Sequence, residues 1–236
     1  MWHELRLFLA ALQSLTRWPG VSGRVPQPEW LNQSARHVPG VGLVVGGVAA
    51  AVLWASAHAW PAMVAVLMSM VATAWLTRAL HEDGLAATCG AVALLLGLAV
   101  KAAALHGLAT RDLLAALAVL PLAHGVSRAT PVVLLYLLPS VGDAQQVQAR
   151  SLARRIDGLG LVVALLWVAV MVAATAVFLS PTALFAALLA AATVTLAMAQ
   201  WLHRHLGGHT GPALGAAQQF SELAIYLAVV AAQTGA

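Results

Sequence analysis

Charge is what this chain has least of. Asp and Glu together number eight and Lys and Arg twelve among 236 residues, so 8% of the chain is charged, where a soluble domain carries about 25%. With 61% hydrophobic residues and a mean hydropathy of +0.87, a soluble globular fold is excluded and a polytopic membrane protein remains. Cysteine is nearly absent too. One residue, Cys89, permits neither an internal disulfide framework nor a thiolate metal cluster. The net charge of +4 comes from dispersed arginines without a basic stripe or interleaved aromatics, which argues against nucleic acid as a partner. Residues 2–17 mix Glu4, Arg6 and Arg17 with Leu, Phe and Trp. They lack the apolar core and small-residue cleavage site of a signal peptide and read as an amphipathic helix lying in the membrane interface.

Long apolar runs are abundant. A bilayer core needs about 20 apolar residues per helical span, and residues 40–60, 62–80, 90–108, 113–138, 159–179 and 182–201 each supply one, with 221–234 as a shorter seventh. The expected fold is all-α: a single membrane-embedded bundle over 1–236 with six to seven transmembrane helices, preceded by a cytoplasmic and interfacial segment over 1–39. Residues 18–39, rich in Pro, Gly and Trp, read as irregular. Arg6, Arg17, Arg24 and Arg36 precede the first span, Arg150, Arg154 and Arg155 lie between the fourth and fifth, and Arg204 follows the sixth. The positive-inside rule makes these regions cytoplasmic. Residues 81–89, 139–158 and 202–220 then share that side, opposite 59–61, 109–112 and 180–181.

The polar residues that remain are concentrated. HEDGLAATC at 81–89 sets a histidine and two carboxylates between apolar runs. Asp83 followed by Gly84 puts a carboxylate beside a permissive backbone position at a helix terminus, a geometry suited to a divalent cation or a phosphate; a solvated loop with a helix-capping Asp is the plainer alternative. Glu82 reads as a solvated neighbour. Glycines at 207, 208, 211 and 215 would let backbone amides approach a phosphate or would make a flexible surface turn. His203, His205 and His209 lack the i, i+4 spacing of a helical zinc site. Arg128 and Lys101 sit inside apolar runs, where an unpaired charge costs several kcal/mol, so a polar cavity between helices is expected. Arg128 suits a phosphate, which guanidinium binds bidentately, whereas Lys101 either shares that cavity or snorkels.

Taken together, these segments resemble the cobalamin synthase family, the adenosylcobinamide-GDP ribazoletransferases. LTRWPG at 15–20, HVPGVGLVVGG at 37–47, HEDGLAATC, SRATPVVLLYLLP at 127–139 and GGHTGPALGAAQQFSEL at 207–223 are similar to that family's ordered motifs, almost from end to end. The resemblance implies a transferase of a substituted phosphate group in a bacterial inner membrane, with its active site on the cytoplasmic side. Its substrates would be adenosylcobinamide-GDP and α-ribazole or α-ribazole 5′-phosphate, its products adenosylcobalamin or the 5′-phosphate and GMP, and its cofactor Mg²⁺. The bilayer would be its surrounding partner, and association into a homo-oligomer is compatible with it. The implied catalytic residues are His81, Asp83 and Arg128. Arg17, Thr210, Gly211 and Glu222 would bind substrate, and Asp83 and Glu222 would hold the metal.

Departures accompany the resemblance. Ala87 stands where the pattern has a second aspartate, Pro212 where it has Asp, and Gln219 at the first acidic position of its tail. The pattern's further Asp-Gly and polar, partly basic loop are missing between Cys89 and Gly90, and this implies impaired catalysis. A break in the chain is expected there, with a Cα separation well beyond the ~3.8 Å of bonded neighbours. Two other classes fit less of the chain. A CDP-alcohol phosphotransferase would show a denser aspartate pattern, and a small-solute transporter would show related halves.

Overall fold

The structure, a computed structural model, describes residues 2–18, 28–141 and 153–234. Helix α1 (Trp2–Leu15) is followed by α2 (Pro28–Ser34), a 3₁₀ turn (Ala35–His37) and α3 (Val38–Ala57). Next come α4 (Ala62–Thr77), α5 (Leu80–Cys89), α6 (Ala91–Arg111) and α7 (Leu113–Leu137). The chain ends with α8 (Gly158–Thr175), α9 (Pro181–Leu206) and α10 (Gly211–Thr234). Among the described residues six helices are long and apolar enough to cross a membrane, and the bent pair α4 and α5 passes the same test only when the two are taken together, as a broken span or a re-entrant loop. The all-α membrane bundle expected from the apolar runs is what forms.

Local chemistry sets the helix ends. Asp112, Asp157 and Ser180 cap α7, α8 and α9, each side chain accepting from a backbone N–H three residues on, which satisfies a donor the helix leaves open. Between α4 and α5 the chain bends by 91°, through Arg78 (φ 57°) and Ala79 (φ 52°). Each residue without glycine's freedom costs about 1–2 kcal/mol in that left-handed region, so the corner is held from outside. Arg17 does so: its N–H donates to Leu76 O (2.8 Å) and its Nε to Trp75 O (2.7 Å), with its guanidinium over the Trp75 ring.

Helix α7 is the axis. Almost its whole middle is buried, from Ala115 to Leu135, and α3, α6, α8, α9 and α10 pack around it. Small residues bring backbones together, as packing without a hydrophobic drive requires: a Cβ at Gly42 of α3 would lie 2.2 Å from His124 O of α7. Outward faces are apolar, with Leu159, Phe185 and Leu196 about two-thirds exposed, as lipid contact demands. Helix α1 buries Leu7, Ala11, Leu12 and Leu15, with Ala11, Leu12 and Leu15 in one cluster with Val41 and Val45 of α3, and leaves Trp2 and Leu5 exposed.

Four expectations change. Residues 28–39 are helical rather than irregular, because α2, the 3₁₀ turn and α3 run on from one another; Pro39 falls within the first two positions of α3, where its missing N–H costs nothing. HEDGLAATC is helical throughout, which sets aside the solvated loop and leaves Asp83 at a helix terminus, in the first turn of α5. The glycine-rich stretch 211–220 is likewise the first turns of α10, so the last span is a full crossing. The chain does not break after Cys89: Gly90 N donates to Ala86 O at 2.8 Å, and Gly90 (φ 89°) turns directly into α6. Arg24, Arg150 and most of 139–158 lie outside the described residues.

Candidate functional site

The chain alternates between two ends of the bundle, and its polar sequence gathers at one. At that end α5 lies against the start of α10, where a Cβ on Gly84 would come within 2.8 Å of Pro212 O and 2.9 Å of Gly215 Cα. Gly84 and Gly215 therefore serve close packing of the two helices. Residues Ser140 and His209 form an isolated parallel bridge, with His209 N–H donating to Pro139 O and Val141 N–H to His209 O. The His209 ring is buried, and burial lowers its pKa, so the neutral ring donates from Nε2 to Arg154 O at 3.3 Å. Asn32 Oδ1 in turn accepts from the N–H groups of Arg154 and Arg155. The N-terminal helices are thus fastened to the loops that follow α7 and α9.

A cavity opens within this end, walled by α1, α2 and α3 on one side and by α5, α7 and α10 on the other. Leu15, Leu31, Val132 and Leu135 line it, together with Gly211 and Pro212 at the start of α10. His81 lines it as well. That side chain is 6% exposed, and its Nε2 has no hydrogen-bond partner.

Behind the cavity lies a buried polar network centred on Glu222 of α10, which is 1% exposed. Its Oε1 pairs with Lys101 Nζ of α6 and accepts from the Tyr226 hydroxyl at 3.2 Å; its Oε2 accepts from Gln218 Nε2 at 2.8 Å. Gln218 also donates to Ser127 Oγ at 2.8 Å. Arg128 Nη1 donates to His124 O (2.9 Å) and to His124 Nδ1 (3.1 Å). Because guanidinium can only donate, that Nδ1 carries no hydrogen, and its 3.5 Å approach to Glu222 Oε2 is no ion pair. Arg128 Nε remains without a partner although the residue is 2% exposed. Buried polar atoms are nearly always paired, so this open donor and His81 Nε2 mark places where a polar guest fits.

The expected site residues divide accordingly. His81, Gly211 and Arg128 belong to this end of the bundle and its interior, and Thr210 Oγ1 accepts from Ala213 N at the start of α10. Arg17 is exposed and occupied with the α4 corner. Asp83 is exposed in the first turn of α5. Glu222 does not fit a metal ligand, because both its oxygens are committed to Lys101, Tyr226 and Gln218. Among the described residues, no group of three or more His, Cys, Asp and Glu side chains gathers to hold a metal ion. Asp83 thus stands exposed on α5, while Glu222 lies within the buried network. Lys101 does not snorkel; it is the chain's single lysine and pairs with the only carboxylate inside the later spans. Glu82 is the residue sequence reasoning missed: its Oε2 is buried without a partner. No signal in HEDG distinguishes Glu82 from Asp83 until α5 is known to be helical and its buried face assigned.

Comparison with known proteins covers nearly the whole chain. The family model described as cobalamin-5-phosphate synthase matches residues 7–89 and 87–230. An adenosylcobinamide-GDP ribazoletransferase of Leptothrix cholodnii is 45% identical over 95% of both chains. Proteins of the same name from Polaromonas naphthalenivorans (33% identity, 96% of this chain and 98% of the relative) and Shewanella amazonensis (32%, 97% and 96%) also match. No solved structure matches. The Leptothrix comparison runs over 251 positions, more than the 236 residues of this chain, so that relative has residues this chain lacks. The family match divides at 87–89, the junction of α5 and α6 where Gly90 closes the chain without a loop. On the strength of these matches and of a fold that puts the shared motifs at one end of the bundle, the chain belongs to the cobalamin-5-phosphate synthase family.

Proposed function

We propose that this protein joins adenosylcobinamide-GDP to α-ribazole or its 5′-phosphate, releasing GMP, as the nucleotide-loop step of cobalamin synthesis. The observation that carries the reading is the 45% identity over 95% of both chains to a ribazoletransferase. In the reaction a ribose hydroxyl oxygen bonds to the cobinamide-linked phosphorus. The bond from that phosphorus to the GMP oxygen breaks, GMP leaves with the electron pair, and the hydroxyl proton passes to solvent. Such transfers need positioning and neutralisation of phosphate charge more than covalent chemistry. Arg128, a buried cation with an open Nε, supplies that charge, and the apolar helices around it strengthen each electrostatic contact by excluding water. Asp83, exposed on α5, faces the solvent side of the same end. Mg²⁺, the ion that the sequence resemblance implies, would supply further neutralisation of phosphate charge, with the exposed Asp83 as the carboxylate at this end to hold it. Single-turnover incubation of excess protein in lipid nanodiscs with both substrates is expected to yield GMP and a cobalamin in equal amounts. No product after prolonged incubation would overturn the reading.

The site end faces the cytoplasm of a bacterial inner membrane. Arg17, Arg36, Arg78, Arg154, Arg155 and Arg204 lie at this end and Arg111 at the other, the asymmetry that orients membrane proteins. In a Cys89→Ser background, Ser140→Cys is expected to resist an impermeant thiol reagent in intact cells and Arg111→Cys to react. The opposite pattern would invert the topology.

A further inference from the structure

The cavity beside His81 differs from an ordinary nucleotide pocket in how few polar atoms it leaves open. Its polar lining side chains are Ser14, Ser34, His81, Ser140 and His209. Ser14 Oγ donates to Ala11 O and Ser34 Oγ to Leu31 O, each at 2.9 Å within its own helix. His209 Nε2 is spent on Arg154 O, and Ser140 is exposed at the mouth. Of these five, His81 alone has a buried polar atom without a partner, its Nε2. Aliphatic side chains, Leu80 and Leu214 among them, fill in the rest.

Such a surface selects between the two heterocycles that the proposed reaction brings together. Guanine presents O6 and N7 as acceptors and its exocyclic amine as a donor. In this cavity most of them would be stripped of water without a replacement, at about 1–3 kcal/mol for each unsatisfied group. A benzimidazole joined to ribose through one ring nitrogen has a single polar edge atom, the other ring nitrogen. The remainder of the ring is apolar and gains on leaving water. We infer that this cavity seats the benzimidazole base of the acceptor nucleoside, with His81 Nε2–H donating to its free ring nitrogen, and that the guanine of the donor lies elsewhere. The inference rests on the ribazoletransferase reading and assigns the N-terminal helices α1 and α2 a purpose, as one wall of the acceptor site.

Equilibrium binding to the full chain in lipid nanodiscs, measured without turnover, tests it. α-Ribazole is expected to bind at least about tenfold more tightly than guanosine, the cost of leaving one polar group unpaired. It should also exceed the matching indole riboside, whose ring carries a C–H in place of the nitrogen, by about tenfold, and His81→Phe should erase that preference. A merely structural role for His81 would weaken both ligands alike. Leu135→Trp, which fills the cavity, is expected to weaken α-ribazole by about thirtyfold or more while sparing adenosylcobinamide-GDP. Equal binding of α-ribazole and guanosine, or unchanged α-ribazole affinity in folded Leu135→Trp protein, would overturn the cavity assignment. Equal binding of α-ribazole and the indole analogue by the unmodified chain would overturn the His81 contact. If Leu135→Trp fails to fold, the ligand series on the unmodified chain still decides. Binding of α-ribazole without any transfer would sink the transferase reading and leave this one standing. Transfer together with indifference to the cavity variants would do the reverse.

Discussion

Glu222→Ala is expected to destabilise the bundle by about 3–5 kcal/mol, the cost of removing one partner from a buried ion pair. Lys101 is 5% exposed; with the carboxylate gone, it would remain inside apolar helices without its salt-bridge partner. Tyr226 and Gln218 would each lose an acceptor as well. Replacing both partners of the pair, as in Lys101→Met with Glu222→Gln, is expected to recover more than half of the loss, because neither buried group is then left charged. Reversible unfolding in mixed micelles gives the free energies. A loss below about 1 kcal/mol for Glu222→Ala would place the pair among weak surface-like contacts and refute its structural role. The same measurement separates this role from metal binding. A metal ligand would make a chelator mimic the substitution, whereas a salt-bridge centre makes EDTA silent, and silence is the expected result.

Much of this was legible in the chain. Apolar runs gave the spans because a bilayer demands a fixed length of apolar helix, and the positions of Arg17, Arg36, Arg154, Arg155 and Arg204 gathered the polar segments at one end before any contact was known. Arg128 stood out because a charge in a span must be accommodated. Burial and pairing were less legible. Lys101 and Glu222 are 121 residues apart, and only the packing of α6 on α10 shows that the lysine is neutralised by the carboxylate assigned to a metal. Residues 211–220 looked like a loop because glycine and proline are the usual marks of one. Here Gly215 admits α5 and Pro212 occupies the first turn of α10, where proline is tolerated. Likewise, Glu82 and Asp83 are neighbours of the same charge. They separate into a half-buried and an exposed group only through the turn of α5.

Inserting at the junction of Cys89 and Gly90 a polar, partly basic loop of the kind the family pattern carries there, together with Ala87→Asp, is expected to raise kcat by about 100-fold or more, the scale at which preorganised charge-stabilising groups act. The unmodified chain keeps the cavity, Arg128 and Asp83. At the α5–α6 junction, however, the chain turns at one residue, Gly90, with nothing but open space around the position of its absent side chain. No polar loop stands over the cavity there to exclude water or to bring further carboxylates to the transferring phosphate. Positioning by the bundle interior should survive, so substrate dissociation constants are expected to change less than about threefold on grafting while the chemical step accelerates. The geometry also permits the graft. Gly90 is exposed, and an insertion at an exposed connection between two intact helices perturbs little buried backbone. Rapid-quench measurement of product formed in one turnover isolates the chemical step from product release. If the grafted protein folds and binds both substrates yet turns over no faster than the unmodified chain, the missing segment is not what sets the rate. In that case the limit lies with the groups the chain retains, and Asp83→Asn against Glu82→Gln becomes the comparison that finds it.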